Sequence, residues 1–199
     1  GIADEWEGNG VRPDHWRAFD MQVPPDARVD QVLQWLDLPA AQRPGFITLY
    51  FDQVDHQAHE HGPDSPQVDD ALRKTDAALG RLLGGLQRRG LSGQVNIVVV
   101  ADHGMAAVPP RHLIFLDGMF DPRRTQLVMS GAVAGIDPPA GRPADARTVR
   151  RLLARHAHMQ CWRRQSIPAR LHYGANPRVP AIVCLAPTGW FITTRAEQA

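Results

Sequence analysis

The sequence predicts an α/β fold, a parallel sheet with helices on both faces, carrying a small α+β insertion. Three observations lead there. Two short apolar runs, residues 46–51 and 96–101, read as buried strands. Between them lies a long stretch of helical periodicity. Strand, helix and strand in that order form a βαβ unit, which demands a parallel pairing with a right-handed crossover. The texture then changes beyond Pro110, where short strands and Pro/Gly punctuation replace the alternation.

In chain order, residues 1–25 mix Gly, Pro and brief apolar groups and read as an irregular arm. Asp26, placed as a cap, precedes Val29, Val32, Leu33 and Leu36, a helix that ends before Pro39. After the run 46–51 comes a polar loop, 52–66. Val68, Ala71, Leu72, Thr75, Leu79, Leu82, Leu83 and Leu86 then recur at spacings of three and four, predicting a helix that stops near Gly90. Further on, 126–136 reads as a strand, 138–143 as a linker, and 145–155 as a short basic helix. Residues 169–173 and 181–185 read as strands joined by a turn over 174–180. This divides the chain into 1–120, part of an α/β core, and 121–199, the insertion with its late hairpin.

Length and composition bound the function. A chain of 199 residues can bury a substantial core. Twenty-two Lys and Arg against 21 Asp and Glu leave a net charge of +1, which argues against a nucleic-acid or anionic-membrane footprint. No run approaches the ~20 apolar residues of a membrane span, and no signal-peptide pattern is visible, the chain starting at Gly1. Two cysteines, Cys161 and Cys184, are too few for a disulfide scaffold; they form one bridge or remain two buried thiols. Trp6, Trp16, Trp35, Trp162 and Trp190 are scattered and read as core fillers.

Both βαβ strands run into the same chemistry. The first leads to Asp55 and His59, the second to Asp102 and His103. Ligands of open parallel sheets bind outside the carboxyl ends of the strands, so the four residues are expected along one edge. Carboxylate oxygen with imidazole nitrogen is a donor set for zinc and similar divalent ions. Asp55 and His59 are four apart, so one helical turn aims both the same way. Asp102 and His103 are adjacent and need an irregular turn, which Gly104 allows.

An Asp-His pair in a loop is ordinarily a solvated surface pair; two pairs, each behind a buried strand of one βαβ unit, point to metal. His56, His59 and His61 form a rival ligand set, and His56 and His61 are read as loop residues. His112, His156 and His158 read as surface or packing residues, and His172 as structural within a strand. The arginines at 142, 147, 150, 151, 155, 163, 164 and 170 read as a solvated basic face. Gly-rich phosphate loop, nucleophile elbow, C-x-x-C and H-E-x-x-H helix are all absent.

The run Thr48-Leu-Tyr-Phe-Asp-Gln-Val-Asp-His-Gln-Ala-His-Glu-His-Gly-Pro63 resembles the nucleotide pyrophosphatase/phosphodiesterase family of the alkaline phosphatase superfamily. So does Asn96-Ile-Val-Val-Val-Ala-Asp-His-Gly-Met105. Gly10-Val-Arg-Pro-Asp-His-Trp16 and Leu171-His-Tyr-Gly-Ala-Asn-Pro-Arg178 look like its flanking segments. The likeness covers nearly the whole chain and is closest to bacterial members.

The resemblance implies an alkaline-phosphatase-like core, incomplete at both ends in this chain, with two zinc ions. Asp55 and His59 would bind the ion that holds the incoming phosphate; Asp102 and His103 would bind the ion that activates the nucleophile. Tyr50 matches a tyrosine lining the nucleotide pocket, and a strand-core role for it stays open. The implied reaction is hydrolysis of nucleotide phosphodiester and pyrophosphate bonds through a covalent intermediate, releasing a nucleoside monophosphate. The family's threonine nucleophile and an upstream aspartate precede the matched region, and a Gly-x-His-Gly-Tyr motif follows it. His172 is not a substitute for that histidine.

The chain thus carries four of six protein metal ligands and is expected to bind metal weakly and to be inactive alone. Other superfamily enzymes, such as phosphonate or choline-phosphodiester hydrolases, remain open, as do a non-catalytic metal-binding fragment and a coincidental α/β fragment. The resemblance also implies a periplasmic or secreted protein, where Cys161 and Cys184 would meet as a disulfide.

Overall fold

The computed structural model describes residues 13–140 and 142–198. Trp6, the first 12 residues of the N-terminal arm and with them the start of the Gly10 to Trp16 segment lie outside the described residues. The chain divides between Met105 and Ala106 into two compact units.

The first unit is helical. Helix α1, Pro25–Leu36, starts with Pro24 as its N-cap and Pro25 in its first turn, where a missing N–H costs nothing. Asp26, expected as the cap, lies inside that turn instead, its carboxylate accepting from the Ala27 amide. Helix α2, Gln53–His61, occupies the segment expected to be a loop. Its residues lack an apolar stripe, so periodicity gave no helical signal there. Gly62, at φ +86°, ends it.

Helix α3, Pro66–Arg88, matches the long periodic stretch, and Ser65 caps it by accepting from the Val68 amide. Val29, Val32, Leu33 and Leu36 of α1 pack against Ala78 and Leu86 of α3. A Cβ on Gly85 would lie 2.5 Å from Leu33 Cδ1, so the glycine permits this close approach. Arg81 to Asp30 and Arg89 to Asp37, both two-pronged, tie the same helices at their rim.

Neither predicted strand of the βαβ unit is a strand among the described residues. Residues 46–51 keep a strand's alternation: Ile47, Leu49 and Phe51 pack on the α1–α3 core, while Phe46 and Tyr50 face outward. Residues 98–100, all valine, are 73–82% exposed. An apolar β-branched run becomes a strand only when neighbouring backbones take its N–H and C=O groups. That pairing is missing on the described residues, so β propensity alone does not produce the element.

The second unit supplies the sheets. Strand β1, Leu113–Phe115, pairs in parallel with β6, Phe191–Thr193. Strands β2 (Gln126–Met129), β3 (Val133–Asp137), β4 (Gln160–Arg163) and β5 (Ile182–Leu185) form an antiparallel sheet in the order β2-β3-β5-β4. Helix α4, Ala146–Leu152, is capped by Asp145, whose carboxylate accepts from the Thr148 amide at 2.8 Å. Its Val149 and Leu152 join Leu116, Ile136, Met159, Ile182 and Ile192 in the core. The protein is therefore a mixed α/β structure with helices and a parallel strand pair.

Several expectations change in this unit. The strand expected over 126–136 is a hairpin, because Gly131 at φ +137° turns the chain. Residues 169–171 form a 3-10 turn, not a strand, and His172 follows it in the left-handed region at φ 46°. The partner of β5 is β4, which its polar ends concealed, together with β3. Cys161 and Cys184 face each other across β4 and β5 and form a disulfide.

No described tryptophan is fully buried: Trp16 is exposed, and Trp35, Trp162 and Trp190 are half-buried. Trp190 lies between the imidazoles of His112 and His158, at centroid distances of 4.3 and 3.7 Å.

Candidate metal centre

Helix α2 puts Asp55 and His59 on one face, one turn apart, with His59 Nε2 3.6 Å from Asp55 Oδ1. The second pair arrives from the segment behind residues 96–101. His103 Nε2 lies 3.8 Å from the same Asp55 oxygen and 3.6 Å from Asp102 Oδ2. Three of the four predicted ligands thus meet around one carboxylate, and Asp102 follows through His103.

The hydrogen bonds set the tautomer of His103. Its Nδ1 lies 3.0 Å from the Gly104 carbonyl, which only accepts, so Nδ1 carries the proton. In the neutral ring this tautomer places the lone pair on Nε2, the atom that faces Asp55 and Asp102. Asp102 Oδ1 accepts from the His103 amide at 3.0 Å, holding the turn that presents both side chains.

Asp55 Oδ1 is a buried oxygen with no hydrogen-bond partner. A buried acceptor without a donor is costly. Here it faces two imidazole nitrogens beyond hydrogen-bonding reach. Ligands ~2.0–2.1 Å from a shared tetrahedral ion lie roughly 3.3–3.5 Å apart, close to the separations seen. The donor set and the orphaned oxygen therefore fit a divalent metal. The contacts are pairwise: among the described residues, no three such side chains close on a common point.

The rival histidines turn away. His56 Nε2 lies 3.6 Å from Glu60 Oε1, and His61 Nε2 lies 3.7 Å from Glu60 Oε2. They are helical, not loop, residues. His156 accepts no such role either: its Nε2 lies 3.0 Å from the Arg151 carbonyl at the end of α4.

Tyr50 lies on the outward face of residues 46–51 and is 56% exposed, so it is not a core residue. The ring of Phe19 stands 5.9 Å from it at 52°. Phe19, in the stretch read as an irregular arm, was not singled out by the sequence, and neither were Arg28 and Asp52, which pair at 2.8 Å behind this surface. An aromatic in an irregular segment carries no periodic signal, and an ion pair distant in sequence carries none.

The model of the type I phosphodiesterase / nucleotide pyrophosphatase family matches residues 3–199. A venom phosphodiesterase of Crotalus durissus collilineatus is 33% identical over 190 residues, 92% of this chain and 23% of that protein. Family member 1 of the ectonucleotide pyrophosphatase/phosphodiesterases of Rattus norvegicus is 29% identical over 96% of this chain and 22% of its own length. Among solved structures, murine ectonucleotide pyrophosphatase/phosphodiesterase 5, as an inactive variant in complex with AMP, is similar with a TM-score of 0.83 and 30% identity. That match covers 98% of this chain and 51% of the other. The chain spans about half of the solved structures and less than a quarter of these two relatives.

Proposed function

The chain belongs to the type I phosphodiesterase / nucleotide pyrophosphatase family, and on that premise we propose that it is part of a two-zinc hydrolase of nucleotide phosphodiester and pyrophosphate bonds. Residues 1–120 would contribute to the catalytic core and 121–199 would form an insertion. The observation that carries the reading is the orphaned Asp55 oxygen facing the imidazoles of His59 and His103.

Asp55 and His59 would hold one ion, and Asp102 and His103 the other. When bound, the ions neutralise charge on the phosphate and activate a hydroxyl nucleophile. The chain's own part is positioning. Helix α2 spaces two donors on one face. The Gly104 carbonyl lies 3.0 Å from His103 Nδ1, so it holds the ring with Nε2 turned toward Asp55 and Asp102. Tyr50 and Phe19 offer exposed ring faces on which a nucleobase stacks. Support for a nucleotide comes from the similar murine protein, whose structure is in complex with AMP.

Each half-site has two protein donors here, where a catalytic zinc takes three, so the isolated 199-residue chain binds metal weakly and turns over no substrate. The disulfide between Cys161 and Cys184 supports an oxidising compartment, periplasmic or extracellular. It agrees with relatives named as venom and ecto enzymes. No helix among the described residues is long and apolar enough to cross a membrane.

The test is a zinc titration of the chain, followed through the His59 and His103 ring proton signals by NMR. A nitrophenyl-nucleotide assay on the protein encoded by the complete gene accompanies it. Zinc-dependent shifts of both histidines and metal-dependent hydrolysis are expected. Two tight sites in the chain would contradict the half-site account. Nucleotide hydrolysis indifferent to chelator would sink the two-zinc reading.

A further inference from the structure

The guanidinium of Arg28, on α1, joins the segment 20–23, the run 46–51 and the start of α2. Nη2 lies 2.8 Å from Asp52 Oδ1, and both side chains are 11% exposed. Nη1 donates to the Tyr50 carbonyl at 2.9 Å, Nε to the Val23 carbonyl at 3.0 Å, and Nη2 to the Asp20 carbonyl at 2.9 Å. The same group lies 5.4 Å from the centre of the Phe19 ring.

Asp52 is the N-cap of α2, the position where an aspartate ordinarily accepts from a first-turn amide. Its side chain makes no such bond. Its backbone carbonyl begins the helix, accepting from His56 N at 3.0 Å, while its Oδ1 pairs with Arg28 and accepts from Gln53 Nε2 at 3.0 Å. Helix α2 has only nine residues, too short to hold itself in place without tertiary anchors. Between 52 and 61 the buried residues are Asp52 and Ala58. Asp52, at the start of the helix, and Ala58, in its last turn, are thus the buried anchors between which Asp55 lies.

We propose that Arg28 is a positioning residue for the metal centre: it fixes the start of α2, and so Asp55 and His59, relative to the aromatic pair of Tyr50 and Phe19. This rests on the reading of that centre given above. The planar fork is required, because it satisfies the carboxylate and three carbonyls at once. A lysine ammonium is a point charge on a flexible stem and cannot span all four.

The proposal is tested on the 199-residue chain with Arg28→Ala, Arg28→Lys, Asp52→Asn and, as a control, Arg81→Ala. The control removes an ion pair between α1 and α3 that does not reach α2. Zinc affinity is read from the His59 and His103 signals, and hydrogen exchange is read over residues 53–61 without metal.

Arg28→Ala and Asp52→Asn should each weaken zinc binding about 10-fold or more, as loss of an outer-shell partner does. Both should speed exchange in the first turn of α2 relative to α3. Arg28→Lys should recover part of both effects, and Arg81→Ala neither. If Arg28→Ala fails to fold, Arg28→Lys and Asp52→Asn carry the same comparison. Zinc affinity within twofold of the unsubstituted chain, with unchanged exchange in α2, overturns the role of Arg28 and leaves the metal centre standing. If Asp55→Asn leaves zinc binding unchanged, the metal centre falls, and the proposed role with it.

Discussion

His103 Nε2 stands 3.8 Å from Asp55 Oδ1, although one residue lies on α2 and the other behind an extended run far along the chain. The two share that oxygen with His59. Asp55→Asn should therefore abolish the zinc-induced shift at His59 and weaken the one at His103, which keeps Asp102. His103→Ala should remove part of the affinity and leave the His59 response. A full response in Asp55→Asn would separate the carboxylate from the site. The amide keeps the shape, so thermal stability without metal should change little.

Gly85 and Leu33 set the crossing of α3 over α1. Alanine is the better helix former by up to about 1 kcal/mol, yet its Cβ would lie 2.5 and 2.6 Å from the Leu33 methyl carbons. Leu33 is buried in the core, so overpacking of roughly 1–3 kcal/mol should win. Gly85→Ala should lower the melting temperature, and Leu33→Ala in the same chain should make the two changes non-additive. Stabilisation by Gly85→Ala alone would mean that Leu33 repacks freely.

Three carboxyls report on acid stability. Side-chain bonds from Arg81 hold Asp30 below the ordinary carboxyl range, and those from Arg89 do the same for Asp37. The Thr148 amide at the head of α4 likewise holds Asp145 low. A depressed folded value means that the stabilisation is present above the unfolded value. It is lost as pH falls through the folded one. Melting temperature should hold from neutral pH down to about pH 4 and fall below it. Asp30→Asn and Asp37→Asn should start lower and lose less on acidification, with the difference shrinking in high salt. A parallel pH profile in both variants would remove these pairs from the account.

The bridge between Cys161 and Cys184 closes a loop with a sequence separation of 23. A loop of that size stabilises by about 3 kcal/mol in the chain-entropy description. Reduction, or Cys161→Ser with Cys184→Ser, should lower the denaturant midpoint of the second unit and leave that of the first unchanged. Two titratable thiols in the unreduced, denatured chain would show that no bridge forms.

Val98, Val99 and Val100 form a continuous exposed apolar run, and unpaired runs of this kind invite association. The isolated chain should bind a hydrophobic dye and self-associate. Val98→Lys with Val100→Lys should reduce both without changing helix content. Unchanged association would place the sticky surface elsewhere, for instance at Phe46, which is 85% exposed.

The helices α1 and α3 were legible because their signal is local: Val29, Val32, Leu33 and Leu36 recur at the helical period within one segment. The pairing of Asp55 with His59 was legible for the same reason, since a spacing of four needs only a helix. Helix α2 itself was not, because a polar segment carries no periodic stripe. The strands expected at 46–51 and 96–101 show the converse failure, where apolar β-branched composition suggests a strand but the ladder depends on a partner elsewhere. The structure keeps from that expectation only the alternation of Ile47, Leu49 and Phe51 against the helices.

The residue types of the candidate centre, their family resemblance and the helices α1 and α3 were readable from the chain alone. All of these depend on composition, order and short-range spacing. Folding in three dimensions set the rest: His103 reaches Asp55, Cys161 lies opposite Cys184, β1 pairs in parallel with β6, and Arg28 pairs with the carboxylate of Asp52. These contacts join residues distant in the chain. The free energy that selects them comes from burial and from satisfying polar groups in the folded state, and no local pattern encodes which distant group will be the partner.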